Sequence, residues 1–181
     1  MTFDLRKFER FCRELTVETK EMGMQKLGTK LLGTQTYVMQ EIAKGLEGKH
    51  FFVILKGRQL GITTISLALD LYWHFINPGF QGTLTTDTEE NRDVFRTTLG
   101  MYMDGLPPEY KIPLLTHNRN QMVLKNRSRL FYQVAGIRAK GLEEGKHFFV
   151  ILKGRQLGIT TISLALDLYW HFINPGFQGV S

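Results

Sequence analysis

One segment of this chain is written twice, and that duplication limits what the chain can fold into. Residues 48–82 recur unchanged at 145–179, so two identical copies of 35 residues lie in a chain of 181. The sequence AKGLE precedes both copies, with Glu144 as the only insertion. Copies that have long filled different places in a fold should diverge, because each place imposes its own packing. The identity of the two copies therefore favours a recent or artificial duplication. Two repeat units are also too few to form a solenoid.

The apolar pattern predicts alternating helices and strands. Helices are expected at about 3–24, 34–43, 62–76 and 87–103, and strands at 50–55 and 82–86, followed by a hairpin of 121–124 and 130–134. Asn77-Pro78-Gly79 should end the third helix, and Asp87 should cap the fourth with Glu90 at the capping-box position. This order predicts an open α/β sheet.

Composition narrows the class of protein. Hydrophobic residues make up 43% and charged residues 22% of the chain, as in a globular protein with a sizeable core. The longest apolar run, FFVIL, is far shorter than a membrane span, and the opening MTFDLRKFER lacks the apolar stretch of a secretory signal. A single cysteine, Cys12, suits a reducing compartment. We therefore expect a cytoplasmic protein without membrane insertion.

Positive charge is concentrated in one part of the chain. The net charge of +6 and the pI near 9.5 favour a polyanionic partner. Residues 111–142 contain seven basic side chains and no acidic one. Alternate residues of a hairpin share a face, so Lys125, Arg127 and Arg129 could meet phosphates together, with Arg119 as a further contact. The alternative is a strand edge that charge protects from aggregation.

A phosphate-binding site is expected in the turn of residues 56–64, which joins a predicted strand to a predicted helix. Small residues let backbone N–H groups approach an anion, and the following helix adds a favourable dipole. In the phosphate-loop pattern G-x-x-x-x-G-K-[ST], Gly61 and Thr63 fit, but Lys56 replaces the first glycine and Ile62 replaces the lysine. The Lys56 ammonium could reach phosphates from the start of the loop, and Thr63 could bind Mg²⁺. A purely structural turn is the alternative.

Four segments together resemble a known family. They are LLGTQTYVMQEI, HFFVILKGRQLGITT, GTLTTDTEENRDVFRTTL and NRNQMVLKNRSRLFYQVAGIRAKG. Over residues 3–141 the chain resembles the N-terminal ATPase domain of tailed-phage terminase large subunits, the motors that package viral DNA. The resemblance implies a P-loop NTPase-like, open and mostly parallel sheet with flanking helices. It also implies ATP and Mg²⁺ as cofactors, a location in the host cell cytoplasm, and double-stranded DNA, the procapsid portal and the small terminase subunit as partners.

The resemblance also assigns roles to residues of the loop. Lys56 would contact the β and γ phosphates, Thr63 the Mg²⁺ and Arg58 the region of the γ phosphate. Gln35 would read the adenine edge. The nucleotide-binding set that it implies is Gln35, Lys56, Gly57, Arg58, Gln59, Leu60, Gly61, Ile62, Thr63 and Thr64.

The chain departs from the family after the hairpin. Members carry four apolar residues followed by Asp-Glu, which hold Mg²⁺ and polarise the attacking water. Here the chain reaches residues 139–142 and restarts the phosphate loop, and no apolar run is followed by Asp-Glu. We therefore expect ATP binding with slow or absent hydrolysis. The family's nuclease domain has no counterpart, so DNA cleavage is not expected.

The second copy divides the chain into an incomplete ATPase part, 1–142, and a duplicated strand-loop-helix unit, 143–181. Its loop residues are Lys153, Arg155, Gly158, Thr160 and Thr161. The unit either takes an adjacent parallel position in the same sheet or competes with the first copy, giving alternative folds or a domain-swapped dimer. The first copy is favoured as the native occupant because it continues into 83–87.

Three hypotheses about function follow from the sequence. The first is an ATP-binding fragment of the terminase kind. The second is a nucleic-acid-binding module that uses the basic stretch 111–142. The third is a duplication or designed product with no function of its own.

Overall fold

The computed structural model describes residues 3–19, 23–27, 33–46, 51–56, 61–134 and 148–153. Four α-helices lie in this part: α1 (Leu5–Glu14), α2 (Gly33–Gly45), α3 (Ile62–Ile76) and α4 (Glu89–Gly105). The strands are β1 (Thr16–Thr19), β2 (Gly23–Lys26), β3 (Phe51–Lys56), β4 (Gln81–Thr86), β5 (Leu114–His117), β6 (Gln121–Leu124), β7 (Arg129–Val134) and β8 (Phe148–Lys153). A 3₁₀ turn, Pro108–Tyr110, precedes β5. The described part is thus mixed α/β, which confirms the predicted class.

Three sheets are formed by the described strands. β1 pairs with β2 in an antiparallel hairpin, and β3 pairs with β8 in parallel. The third sheet has the order β4-β7-β6-β5, in which β4 and β7 are parallel and the other two pairs are antiparallel. Parallel pairing, expected for most of the sheet, therefore occurs at β3–β8 and β4–β7, whereas β5, β6 and β7 form an antiparallel meander.

α3 lies at the centre of the core. Its sequence is apolar nearly all round, and the predicted bounds of 62–76 are confirmed. Ile65 and Leu71 are fully buried, and α3 contacts α1, α2 and α4. The Phe11 ring of α1 packs against Tyr72 and Phe75 of α3, with ring centroids 5.2 and 5.6 Å apart. Such aromatic pairs add to the stabilisation from buried area, so α1 and α3 form one packing unit.

The C-terminal end of α3 is fixed to the β6–β7 turn. α3 ends at Ile76, directly before Asn77, as predicted. The Asn77 side chain donates to the Trp73 carbonyl at 2.9 Å and so caps the end of the helix. The Asn126 amide donates to the carbonyl of His74 at 2.8 Å, and the buried His74 ring lies 3.2 Å from the Arg129 carbonyl. These contacts hold the first copy of the repeat against strands that lie downstream of it in the chain.

The predicted first helix is too long. α1 begins after Asp4, whose carboxylate accepts from the amides of Arg6 and Lys7, but it ends at Glu14 instead of continuing to residue 24. Residues 16–19 read TVET, and β-branched residues favour extended backbone, so this segment pairs as β1 with β2. The Lys26 ammonium then donates to the carbonyls of Glu14 and Gly105 at 2.6 and 2.9 Å, fixing the hairpin to the ends of two helices.

Two further details differ from the prediction. Thr88, not Asp87, caps α4: its hydroxyl accepts from the Asn91 amide at 3.2 Å, while the Asp87 carboxylate accepts from the Asn91 side chain. The second difference is β5, which the sequence pattern did not predict. Its residues Leu114 and Leu115 are both exposed, so the strand lacks the apolar and polar alternation that marks a half-buried strand.

The described strand of the second copy lies beside its counterpart. β8 pairs with β3 residue for residue, so that Phe148 lies opposite Phe51 and Lys153 opposite Lys56. This pairing agrees with the first hypothesis for the repeat, an adjacent parallel position. The rest of the second copy, including Arg155, Gly158, Thr160 and Thr161, lies outside the described residues.

Candidate functional site

The predicted phosphate loop joins the end of β3 to the start of α3. β3 ends at Lys56 and α3 begins at Ile62, so the two elements have the predicted strand-turn-helix order. Gly57, Arg58, Gln59, Leu60 and the side chain of Lys56 lie outside the described residues. The described half of the candidate site is the N-terminal turn of α3 with the residues packed against it.

Gly61 has the backbone conformation that requires glycine. It precedes α3 with φ +64° and ψ 10°, the left-handed region in which a side chain is strained. Its carbonyl accepts the first helical hydrogen bond, from the Ile65 amide at 3.1 Å. A left-handed residue directly before a helix turns successive N–H groups toward one side, which is the geometry of an anion-binding nest.

The first turn of α3 carries the amides of Ile62, Thr63 and Thr64. Amides in the first turn of an α-helix have no helical acceptor, and they lie at the positive end of the helix dipole. Ile62 is buried, while Thr63 and Thr64 are half-buried and accessible. The Tyr102 hydroxyl of α4 donates to the Thr64 carbonyl at 3.3 Å, which holds this turn from the opposite side. The turn is therefore held in position, and its first amides have no acceptor within the helix.

The charged residues in the sequence of the loop and its flanks also favour an anionic ligand. No carboxylate occurs between Glu47 and Asp70, whereas Lys49, Lys56 and Arg58 lie in that interval. The first turn of α3 likewise has no acidic residue. A segment with cations, helix-terminal amides and no carboxylate of its own suits a polyanion such as a triphosphate.

Gln35 joins α2 to this turn. It is only 3% exposed, and its side-chain amide donates to the Gly61 carbonyl at 3.0 Å. The structure thus brings together Gln35, Gly61 and the two threonines, which lie far apart in the sequence. Whether Gln35 also meets a base stays a prediction.

The strands that precede the two copies of the loop end side by side. The backbones of Lys56 and Lys153 are paired at the ends of two parallel strands, about 4.8 Å apart as neighbouring strands are. Carboxyl ends of parallel strands share one edge, so β3 and β8 end at the same edge of their sheet.

The basic residues predicted to contact DNA divide into two groups. Lys125 and Arg127 lie in the turn between β6 and β7, and Arg129 is the first residue of β7. All three are exposed, and the Arg129 guanidinium lies 5.7 Å from the Phe131 ring centroid. Arg119 lies before β6, at the other end of that strand, and its guanidinium pairs with the Glu89 carboxylate.

The geometry of the β6–β7 turn differs from a simple alternation of side chains. Arg127 has φ +68°, so the turn does not follow the strand pattern that would place residues 125, 127 and 129 on one face. The three cations still lie within five residues of one exposed turn. They form a compact basic tip, whereas Arg119 is already neutralised by Glu89.

A cleft of about 470 Å³, lined by residues outside the segment 56–64, lies between α4, β5 and the β1–β2 hairpin. Its lining includes Arg96, Asp104 and His117. The His117 ring lies 3.1 Å from the Tyr132 hydroxyl. Burial, and then the nearby Arg96 guanidinium, lower the pKa of His117 below its ordinary value of 6.5.

The lowered pKa of His117 predicts a dependence of stability on pH. The folded protein binds fewer protons at this ring than the unfolded chain does, so stability rises with pH in this window. The free energy of unfolding should therefore begin to fall as the pH drops below 6.5 and level off below the lowered pKa. His117→Gln should reduce this loss in urea denaturation at pH 7 and pH 5. An unchanged pH dependence in the variant would contradict the assignment.

The described residues contain no group of three or more His, Cys, Asp or Glu side chains placed to hold a metal ion. Over the same residues, no helix combines the length and apolar character needed to cross a membrane. No protein-family model matches the chain, and a search of curated proteins found no match either.

Proposed function

We propose that this chain binds ATP with Mg²⁺ at the turn between β3 and α3. The observation that carries the proposal is the left-handed Gly61 directly before α3 in a strand-loop-helix unit, followed by helix-terminal amides and a half-buried Thr63. Such a turn presents N–H groups to phosphate oxygens at the positive end of a helix. In this proposal the Lys56 ammonium contacts the β and γ phosphates, Thr63 offers its hydroxyl to Mg²⁺, and Arg58 lies near the γ phosphate.

The finer fold is part of the same proposal. A P-loop NTPase-like arrangement is supported by the order β3-α3-β4-α4 and by the parallel pairs β3–β8 and β4–β7, which lie in two separate sheets. The resemblance to the terminase ATPase domain supports ATP as the nucleotide and DNA packaging as the setting. Hydrolysis should be slow or absent, because no apolar run leads to an Asp-Glu pair that could hold Mg²⁺ and orient water.

The test is a calorimetric titration with ATP, in the presence and absence of Mg²⁺, and with AMP. The proposal expects ATP to bind with one site per chain, Mg²⁺ to strengthen binding, and AMP to bind far more weakly because it lacks the β and γ phosphates. A folded protein that binds none of these ligands would refute the nucleotide site and favour the hypothesis of an inactive duplication product.

A second candidate function is nucleic-acid binding through the basic tip of Lys125, Arg127 and Arg129. All three side chains are exposed, and residues 111–142 contain no carboxylate. Phosphate contacts release counterions, so the affinity for duplex DNA should fall steeply as salt increases.

Substitutions at the basic tip test this second function. Arg127→Ala and Arg129→Ala should each weaken binding to duplex DNA for any sequence and lower the salt slope by about 1. Arg6→Ala is a control for the loss of one positive charge, because Arg6 is exposed on α1 and does not belong to the hairpin. Equal salt slopes in all variants, measured by fluorescence anisotropy, would contradict a role of the tip.

A further inference from the structure

Gln35 occupies a core-facing position of α2. Residues 35, 39 and 42 lie on one face of this helix, and Met39 and Ile42 are 0% and 2% exposed. An amide on such a face loses its hydration, which costs free energy unless a protein group replaces the lost hydrogen bonds. The Gly61 carbonyl is one such partner, at 3.0 Å from the side-chain nitrogen of Gln35.

The hydrogen bond acts on the residue that sets the loop geometry. The Gly61 carbonyl accepts from both Gln35 and the Ile65 amide, so the left-handed residue and the first helical turn are held by one acceptor. Fixing this carbonyl fixes the peptide plane that follows it, and with it the direction of the Ile62 amide. The Gln35 contact is thus suited to preorganise the amides that meet a phosphate.

We infer that Gln35 is a positioning residue for Gly61 and the first turn of α3, and that the site selects the polyphosphate of its ligand instead of the base. This inference rests on the proposed function, because it takes a polyphosphate as the ligand. It differs from adenine recognition, in which the amide of Gln35 would meet the base edge. At 3% exposure, Gln35 offers little surface to a base. The substrate class is then nucleoside triphosphates in general.

The experiment compares three ligands with Mg²⁺: ATP, GTP and inorganic tripolyphosphate. Gln35→Met keeps the length of the side chain but removes the donor, so the loop loses its hydrogen bond while the core stays filled. We expect the affinities for all three ligands to fall by the same factor, about tenfold. Gln40→Met is the matched control, because Gln40 is exposed on the same helix, and it should change none of the three affinities.

Two results would overturn the inference. A loss of ATP affinity alone, with GTP and tripolyphosphate unchanged, would assign Gln35 to the adenine edge. Equal affinities of Gln35→Met and the unsubstituted protein for all three ligands would show that the contact does not organise the loop.

Amide hydrogen exchange separates this inference from the proposed function. In the protein without ligand, Gln35→Met should speed exchange of the Ile65 amide, which bonds to the Gly61 carbonyl, whereas Gln40→Met should not. If the unsubstituted protein binds no polyphosphate, the proposed function fails, and faster Ile65 exchange would still support the positioning of Gly61 by Gln35. Unchanged Ile65 exchange would overturn it.

Discussion

Replacing Lys56 with alanine is expected to weaken Mg·ATP binding by on the order of 10- to 100-fold. The estimate follows from the loss of charge-assisted hydrogen bonds to phosphate, roughly 1.5–3 kcal/mol, at 1.4 kcal/mol per tenfold change in affinity. Lys56 ends β3 and occupies the first-glycine position of the phosphate-loop pattern, from which its ammonium is proposed to reach the phosphates. Calorimetric titration of the variant measures the change.

The duplicated sequence supplies the control for this experiment. Lys153 has the same neighbours in sequence, and its backbone is paired with that of Lys56. If the nucleotide site belongs to the first copy, Lys153→Ala should leave the affinity unchanged. Lys44→Ala, on the exposed surface of α2, controls for the loss of one positive charge. Equal losses in Lys56→Ala and Lys153→Ala would contradict a site formed by the first copy alone.

Replacing Leu71 with alanine is expected to lower the free energy of unfolding by about 2–5 kcal/mol, the usual cost of truncating a buried leucine. Leu71 is 0% exposed and lies on α3, the central helix of the core. Removing its side chain loses buried apolar area and leaves a cavity among the helices that surround α3. Urea denaturation followed by circular dichroism measures the loss.

Leu168→Ala is the matched substitution in the second copy. Leu168 occupies the same place in the repeated sequence as Leu71. If the first copy is the native occupant of the core, Leu168→Ala should cost less than Leu71→Ala. Equal costs would indicate that the two copies exchange in one position or are buried alike. Because the two substitutions are chemically identical, differences in the unfolded chain largely cancel from the comparison.

Patterns with strong local causes allowed most of the fold to be predicted. α3 was predicted with its observed bounds because it is apolar nearly all round and ends at Asn77-Pro78-Gly79, whose side chains and backbone stop a helix. β3 and β4 were predicted within a residue or two because short apolar or β-branched runs lie between turn residues. In these segments local propensity and tertiary packing favour the same structure.

The errors arose where local and long-range effects compete. The helical pattern of α1 ends with the buried Leu15, and the following residues are extended because they pair with 23–26 and are held by Lys26. β5 was missed because its leucines are exposed at a sheet edge. The sequence alone could not predict which sheet takes the repeated strand, because identical segments have identical propensities.

For the candidate site, the sequence predicted the residue types but not their contacts. The strand-turn-helix order was predicted and is confirmed. Gly61 was identified only as a match to the phosphate-loop pattern, and its positive φ is a finding of the structure. The hydrogen bond between Gln35 and Gly61 joins residues 26 positions apart. The only sequence signal for it was a glutamine on the apolar face of α2, at the spacing of Met39 and Ile42.

The most direct test of the nucleotide site is an amide NMR titration of the unsubstituted protein with Mg·ATP. The proposal predicts that the amide resonances of Gly61, Ile62, Thr63 and Thr64 shift in a saturable way, and that AMP at the same concentration leaves them in place. Resonances of these amides that stay unchanged in ATP, or shifts confined to the basic tip of Lys125, Arg127 and Arg129, would contradict it.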